Sequence, residues 1–325
     1  MLRTLPILLL VAVTACGETS SSSHHDADAA PPSDGGITVL PGLDMGLDPA
    51  DAEVELDAEV EPDLAPEPDM ALEPDAAPVD VCEQWSGLRD RSLLDALHET
   101  LHDTYTPLEL RARDRTRYNT ARARMFTRIE FVRVGDQQGQ ECVYTGDFFR
   151  SQEGIPPDDE DLNVEHVWPR SRMESDRNTR LYAHQESDMH HLMPAVPGAN
   201  ALRSSLPFGE VNSDRDGQYA PSYEGRDRSG DRVFEPRDVR KGDVARMVMY
   251  FSVRWGRGIG GDEARALKAW HQQDPVDARE RRRNDLVEDW QGNRNPFVDC
   301  PSLVNQVSEF RSFGILDREG DLPGP

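Results

Sequence analysis

Asn163-Val164-Glu165-His166-Val167-Trp168-Pro169-Arg170-Ser171 is the stretch on which the reading of this chain turns. It sets a carboxylate, a hard oxygen ligand, beside an imidazole whose ordinary pKa lies near neutrality. That pair suits a centre where one residue holds a cation and its neighbour moves a proton. Neighbours in a regular strand point to opposite faces. If both serve one site, the backbone must twist there, at a strand end, a bulge or a turn. Pro169 fits a strand that stops. Two further segments belong with it: Ser187-Asp188-Met189-His190-His191-Leu192-Met193-Pro194, and the run from Asn200 to Val211 (NALRSSLPFGEV). The His-Glu-x-x-His pattern of zinc proteases is absent, and adjacent His190 and His191 cannot chelate one ion from a helix. On pattern alone, a metal-assisted hydrolase and a set of polar residues around a loop both remain open.

Around these segments the periodicities outline an α+β domain, mostly helical with a few short strands. Ser92–His102 places Leu93, Leu94, Leu97 and Leu101 at helical spacing behind Ser92 as N-cap, and Tyr105-Thr106-Pro107 ends it. Thr116–Phe126 reads as a second helix, Arg128–Val134 and Glu141–Gly146 as strands. Lys241–Trp255 (KGDVARMVMYFSVRW) is apolar enough to be the core helix; Glu263–His271 and the arginine-rich Pro275–Trp290 follow as helices. The folded region is expected to run over residues 82–325 as one domain.

The 325-residue chain opens with an address. Arg3 and the apolar run Leu5–Val13 make a leader too short to span a bilayer. Val13-Thr14-Ala15-Cys16 resembles a bacterial lipobox, so residues 1–16 are expected to form a lipoprotein signal with Cys16 lipidated, the membrane partner of the chain. The expected address is export, to the periplasm or cell surface, or secretion if Cys16 stays bare. Residues 17–81 are Ser, Asp, Glu, Ala and Pro with a drifting Glu-Pro-Asp repeat, a composition expected to stay disordered as an acidic tether. Eighteen of the 61 acidic residues precede Cys82 against one basic residue, Arg3, so most of the net charge of −25 belongs to the tether and about −8 to the rest. Cys82, Cys142 and Cys300 remain; in an oxidising compartment one disulfide and one free thiol are expected, the pairing open.

The three segments together resemble the bacterial endonuclease I family of secreted nucleases, members of the His-Me finger group. The likeness rests on Asn163-Val164-Glu165-His166, Pro169 and Ser171, then Asp188, His190-His191-Leu192, Pro194, Asn200, Arg203-Ser204 and Pro207-Phe208-Gly209. Tyr144-Thr145-Gly146 precedes them, and Phe234-Glu235-Pro236-Arg237, Lys241–Arg246, Trp270-His271-Gln272, Asp274-Pro275-Val276, Arg282–Asp285 and Gln291–Phe297 follow, so it runs from about Leu94 to about Val304. The resemblance implies a short β-hairpin and helix as catalytic core. It implies His166 as general base, its second ring nitrogen held by a backbone carbonyl, and Glu165 and Asn200 as ligands of one Mg²⁺ or a similar ion such as Mn²⁺ or Ca²⁺. Arg203 is a candidate for phosphate contact or for helix capping. Family members also carry a transition-state arginine between the histidine strand and the ligand helix; Arg172, Arg177 and Arg180 lie in that gap without a clear match. Asp188, His190 and His191 are expected to be scaffold.

The implied activity is largely sequence-nonspecific cleavage of DNA, and by the same reading of phosphate rather than base of RNA, to 5′-phosphate and 3′-hydroxyl ends. The chain is expected to work as a monomer without an obligate protein partner. A mildly acidic domain must bind a polyanion through a local basic patch. The candidates are Arg111, Arg113, Arg115 and Arg117, then Arg122 and Arg124, then Arg279, Arg281, Arg282 and Arg283. Competing readings are a small-molecule phosphoesterase with the same base and ion, and a catalytically silent surface lipoprotein of the same fold.

Overall fold

A computed structural model describes residues 80–108 and 116–314. The leader, Cys16 and the tether up to residue 79 lie outside the described residues, as do Arg111, Arg113 and Arg115. The described residues fall within one compact unit, Leu72–Pro325. Among them no helix is long and apolar enough to cross a membrane.

The architecture is α+β. The helices are α1 (Asp90–Thr104), α2 (Arg117–Arg124), α3 (Arg180–Ser187), α4 (Pro197–Arg203), α5 (Lys241–Arg254), α6 (Gly261–Gln273), α7 (Ala278–Gln291) and α8 (Pro296–Asp299). Three antiparallel sheets sit among them: β1 (Val132–Val134), β2 (Gln137–Glu141) and β3 (Phe148–Arg150); β4 (Asn163–His166) with β5 (Leu192–Ala195); and β6 (Ser213–Asp216), β7 (Tyr223–Arg226) and β8 (Arg232–Glu235). Helix α5 is buried over its whole length, as expected of a helix apolar on every side. Its charged members survive there through partners: Arg246 pairs with Glu280 at 2.5 Å and Arg240 with Asp243 at 2.6 Å. Helices α1 and α6 pack against it, α1 with the predicted leucine face inward.

Sequence and structure part at the element boundaries. Helix α1 starts at Asp90 with Arg89 in the N-cap position; Ser92 sits in its first turn, where its hydroxyl donates to the Arg89 carbonyl at 2.8 Å and accepts from the Arg89 N–H at 3.4 Å. The strand expected at Arg128–Val134 shortens to Val132–Val134. Met125–Ile129 instead winds as a single π-helical turn, because Met125, Phe126 and Ile129 all go into the core at helical spacing. The strand expected at Glu141–Gly146 is displaced backward to Gln137–Glu141. Beyond it the chain turns, with Gly146 in the left-handed region at φ +80° and donating to the Cys142 carbonyl at 3.0 Å. Helix α7 starts at Ala278, capped by Asp277, and ends on left-handed Gly292.

Cys82 is bonded to Cys300, across a sequence separation of 218, and Cys142 is a buried free thiol. Among the described residues the cysteines thus form one disulfide and leave one free thiol, as expected.

Candidate active site

Strands β4 and β5 pair in register, Asn163 with Ala195, Glu165 with Met193 and His166 with Leu192, and α4 begins two residues after β5 at Pro197. This is the expected hairpin-and-helix unit, with α3 housed in the connection between its strands. β4 stops at His166, as a shared role for Glu165 and His166 requires. From there Val167, Trp168 and Pro169 lead into the 3₁₀ turn Arg170–Arg172. Glu165, His166 and Asn200 all line one open cleft of about 850 Å³, together with Tyr118, Asn119 and Arg122 of α2 and Arg170 and Ser171 of the turn after β4.

The His166 ring is nearly enclosed, 7% exposed. Its Nε2 lies 3.1 Å from the Glu186 carbonyl. A carbonyl only accepts, so Nε2 carries the proton and Nδ1 presents its lone pair. No partner among the described residues takes Nδ1. Tyr118 stacks on the ring at 5.4 Å between centroids, and His191 lies against it at the same distance. Burial, then the neighbouring His191 and Arg170, hold the His166 pKa well below its ordinary value, so the imidazole is neutral. Glu186 is itself anchored: its carboxylate meets Arg170 at 3.1 Å and the Tyr182 hydroxyl at 3.3 Å.

Glu165 is buried at the foot of the cleft. Its Oε1 accepts from the Tyr144 hydroxyl at 2.8 Å and lies 3.3 Å from Arg203 Nε, close enough for ion pairing though not aligned as a hydrogen bond. Oε2 takes no hydrogen bond from the described residues. Burial pushes the carboxyl pKa up to about 7 against the pull of Arg203 and the Tyr144 hydroxyl. Asn200 spends both amide hydrogens on β4, donating to Asn163 Oδ1 at 2.8 Å and to the Val164 carbonyl at 3.0 Å. The Val164 carbonyl fixes which end is nitrogen, which leaves the Asn200 Oδ1 as a free acceptor.

Two uncommitted oxygens thus border one cleft. Among the described residues no group of three or more His, Cys, Asp or Glu could hold an ion. A cation at Glu165 and Asn200 would therefore keep several waters, a donor set that suits a hard ion such as Mg²⁺ and not Zn²⁺.

The other candidates separate by burial. Arg203 does not line the cleft: it is fully buried, with Nη1 on the Ser204 carbonyl, Nη2 on the Val167 carbonyl and its guanidinium over Phe208. It steadies Glu165 from behind rather than reaching a phosphate. In the gap between β4 and α4, Arg172 pairs with buried Glu263 and Arg177 lies near Tyr182; neither borders the cleft. The arginine that does is Arg170, passed over in sequence because nothing distinguishes it from its neighbours. Tyr118 was equally silent, 48 positions away from the histidine it covers.

Asp188 is scaffold, as expected. Its oxygens accept from the His190 backbone and Gln291 on one side, and from the Tyr250 hydroxyl and Trp255 indole on the other. His190 and His191 are buried, tied to the Asn293 and Gln185 carbonyls, and burial lowers both pKa values to about 4.

The described arginines of the basic runs are largely engaged within the fold. Arg117 is buried on the Leu108 carbonyl, Arg124 lies over Trp290, Arg279 bridges Glu130 and Glu141, Arg282 reaches the Ile129 carbonyl, and Arg283 grips Glu130 and three backbone carbonyls. Among the described members of these runs, only Arg122 borders the cleft.

Comparison with known proteins agrees with this geometry. The Endonuclease I family model matches residues 109–302, more than half of the chain. An extracellular ribonuclease of Bacillus amyloliquefaciens is 37% identical over 165 residues, 45% of this chain and 54% of that protein. An extracellular deoxyribonuclease of Aeromonas hydrophila is 30% identical over 132 residues, 41% of this chain and 58% of that protein. Endonuclease-1 of Buchnera aphidicola is 28% identical over 131 residues, 40% and 52%. The chain spans about half the length of the curated relatives it matches. With the matched region enclosing the hairpin, the helix and the cleft between them, the chain belongs to the endonuclease I family.

Proposed function

We propose that this protein is a divalent-metal-dependent endonuclease that hydrolyses DNA and RNA to 5′-phosphate and 3′-hydroxyl ends. The observation that carries the reading is the set of free atoms in the cleft. They are the lone pair on His166 Nδ1, Glu165 Oε2 and Asn200 Oδ1. His166 is neutral and tautomerically fixed by the Glu186 carbonyl, so Nδ1 accepts a proton from water as that water attacks phosphorus. The leaving group is the 3′ oxygen on the opposite side of phosphorus. Glu165 and Asn200 would hold the ion, which when bound stabilises charge on the phosphate and on the departing oxygen. Arg203 and Tyr144 position the carboxylate, and Arg170 and Arg122 offer guanidinium groups to phosphates in the cleft.

Relatives named ribonuclease and relatives named deoxyribonuclease both support a backbone-reading enzyme that accepts either polymer. Relatives named extracellular or periplasmic support export, consistent with the leader and with a disulfide that needs an oxidising compartment. Lipidation of Cys16 and a monomeric working form complete the reading.

The test is cleavage of plasmid DNA, RNA and an aryl phosphate by the wild type, His166→Ala and Asn200→Ala, with Mg²⁺ and with EDTA. The expected result is polymer cleavage abolished by EDTA, lowered about 10²–10⁴-fold in His166→Ala, and absent on the aryl ester. Cleavage unchanged in His166→Ala would overturn the mechanism.

A further inference from the structure

The mouth of the cleft is an unexpected place for acid. The loop Ser151–Leu162 between β3 and β4 carries four consecutive acidic residues, Asp158-Asp159-Glu160-Asp161, immediately before the catalytic strand. Turn bonds from Asp161 and Leu162 to the Asp158 carbonyl hold this stretch. Asp159 borders the cleft and pairs with Nη2 of Arg122, which belongs to α2 and borders the same cleft. Arg122 is otherwise supported by the Phe126 ring, 5.1 Å from its guanidinium. Its side chain is 22% exposed and that of Asp159 is 71% exposed, so the carboxylate can leave the guanidinium for solvent without moving buried groups.

A guanidinium fork recognises carboxylate and phosphate by the same geometry. We propose that Asp159 is an internal competitor for substrate, occupying on Arg122 the position of a nucleic-acid phosphate and yielding it on binding. This rests on the nuclease reading above. Asp159 then sets affinity and salt dependence without touching the chemical step. The substrate must displace a carboxylate to gain a phosphate contact, which disfavours short fragments that cannot supply compensating contacts elsewhere along the cleft.

The experiment compares wild type, Asp159→Asn, Arg122→Ala, the double variant and Glu160→Gln, on a labelled duplex oligonucleotide at several salt concentrations. Glu160→Gln removes the same charge from the same loop without touching Arg122. Asp159→Asn is expected to lower KM roughly 2–5-fold, the range of one exposed ion pair, with kcat unchanged. It should also steepen the dependence of log KM on log salt, by up to about 0.9, because one carboxylate no longer offsets a guanidinium facing phosphate. In the Arg122→Ala background the gain should vanish, and Glu160→Gln should leave KM within about a factor of two. A raised KM in Asp159→Asn, a gain that persists without Arg122, or an equal gain in Glu160→Gln would each overturn the proposal while leaving the nuclease standing. A wild type that cleaves no nucleic acid would instead remove both.

Discussion

Ion binding should depend steeply on pH between 5.5 and 8, because Glu165 is a raised carboxyl. A cation binds the ionised form, so the sign follows from competition with the proton. Affinity is fully present above about pH 7 and is lost as pH falls through that value. Below it, each pH unit should weaken binding about tenfold, or about 1.4 kcal/mol. From pH 8.5 to 5.5 the fall is about 30-fold, whereas a carboxylate at its ordinary value would give an almost flat curve over that window. The neighbouring histidines do not confuse the measurement, since His190 and His191 titrate near 4 and His166 is held well below its ordinary value. Asp243 is also pushed up to about 7, by burial and by Glu280, but it pairs with Arg240 and does not border the cleft. The assay is calorimetric titration of metal-free protein with Mn²⁺ across this range, in buffers of different ionisation enthalpy. Close to one proton should be released per ion at pH 6 and almost none at pH 8.5. Affinity that stays level across the window would refute the assignment of Glu165 as a buried ligand. In the metal-free chain the same shift opposes folding, so stability should decline as pH rises from about 4.5 to about 7 and be restored by the ion.

Asp188→Ala should cost about 3–5 kcal/mol in urea unfolding, because it strands four buried donors at once; a loss under about 1 kcal/mol would show that the site's floor does not depend on this carboxylate. Gly198→Ala would set a Cβ 1.8 Å from the Tyr219 hydroxyl oxygen and 2.5 Å from the ring carbon bearing it, two residues from Asn200. It should cost about 1–3 kcal/mol in thermal unfolding and lower cleavage, with Tyr219→Ala in the same chain recovering both; failure of that rescue would place the strain elsewhere.

Much of the fold could be read from local pattern. The leucine face of α1 and the continuous apolar run of α5 declare themselves through spacing, and Pro169 marks where β4 ends. The boundaries that moved were those where tertiary packing outweighs propensity. Ile129 was read into a strand, but its spacing of three from Phe126 lets both reach the core from a helical turn. In the candidate site, the Glu165–His166 pair stood out by residue type, whereas Asn200 entered through the family resemblance, and the structure places all three around one cleft. The Glu186 carbonyl under His166 was not, since every residue has one and only the fold selects it. The arginines behaved likewise. A guanidinium reads the same in sequence whether it grips backbone carbonyls in the interior, as Arg283 does, or borders a cleft, as Arg170 does.

The bond between Cys82 and Cys300 makes the strength of this fold a property of where it resides. Closing so long a loop removes on the order of 5 kcal/mol of chain entropy from the unfolded state in the simplest treatment, a quantity comparable to the net stability of many domains. That margin exists only where thiols oxidise. A chain still among reducing thiols, beside a cell's own nucleic acid, would unfold more readily and fall to proteolysis sooner. The same chain after oxidation would withstand an environment with no chaperones. For the nuclease proposed above, this bond would be a safeguard carried in covalent chemistry, independent of any inhibitor.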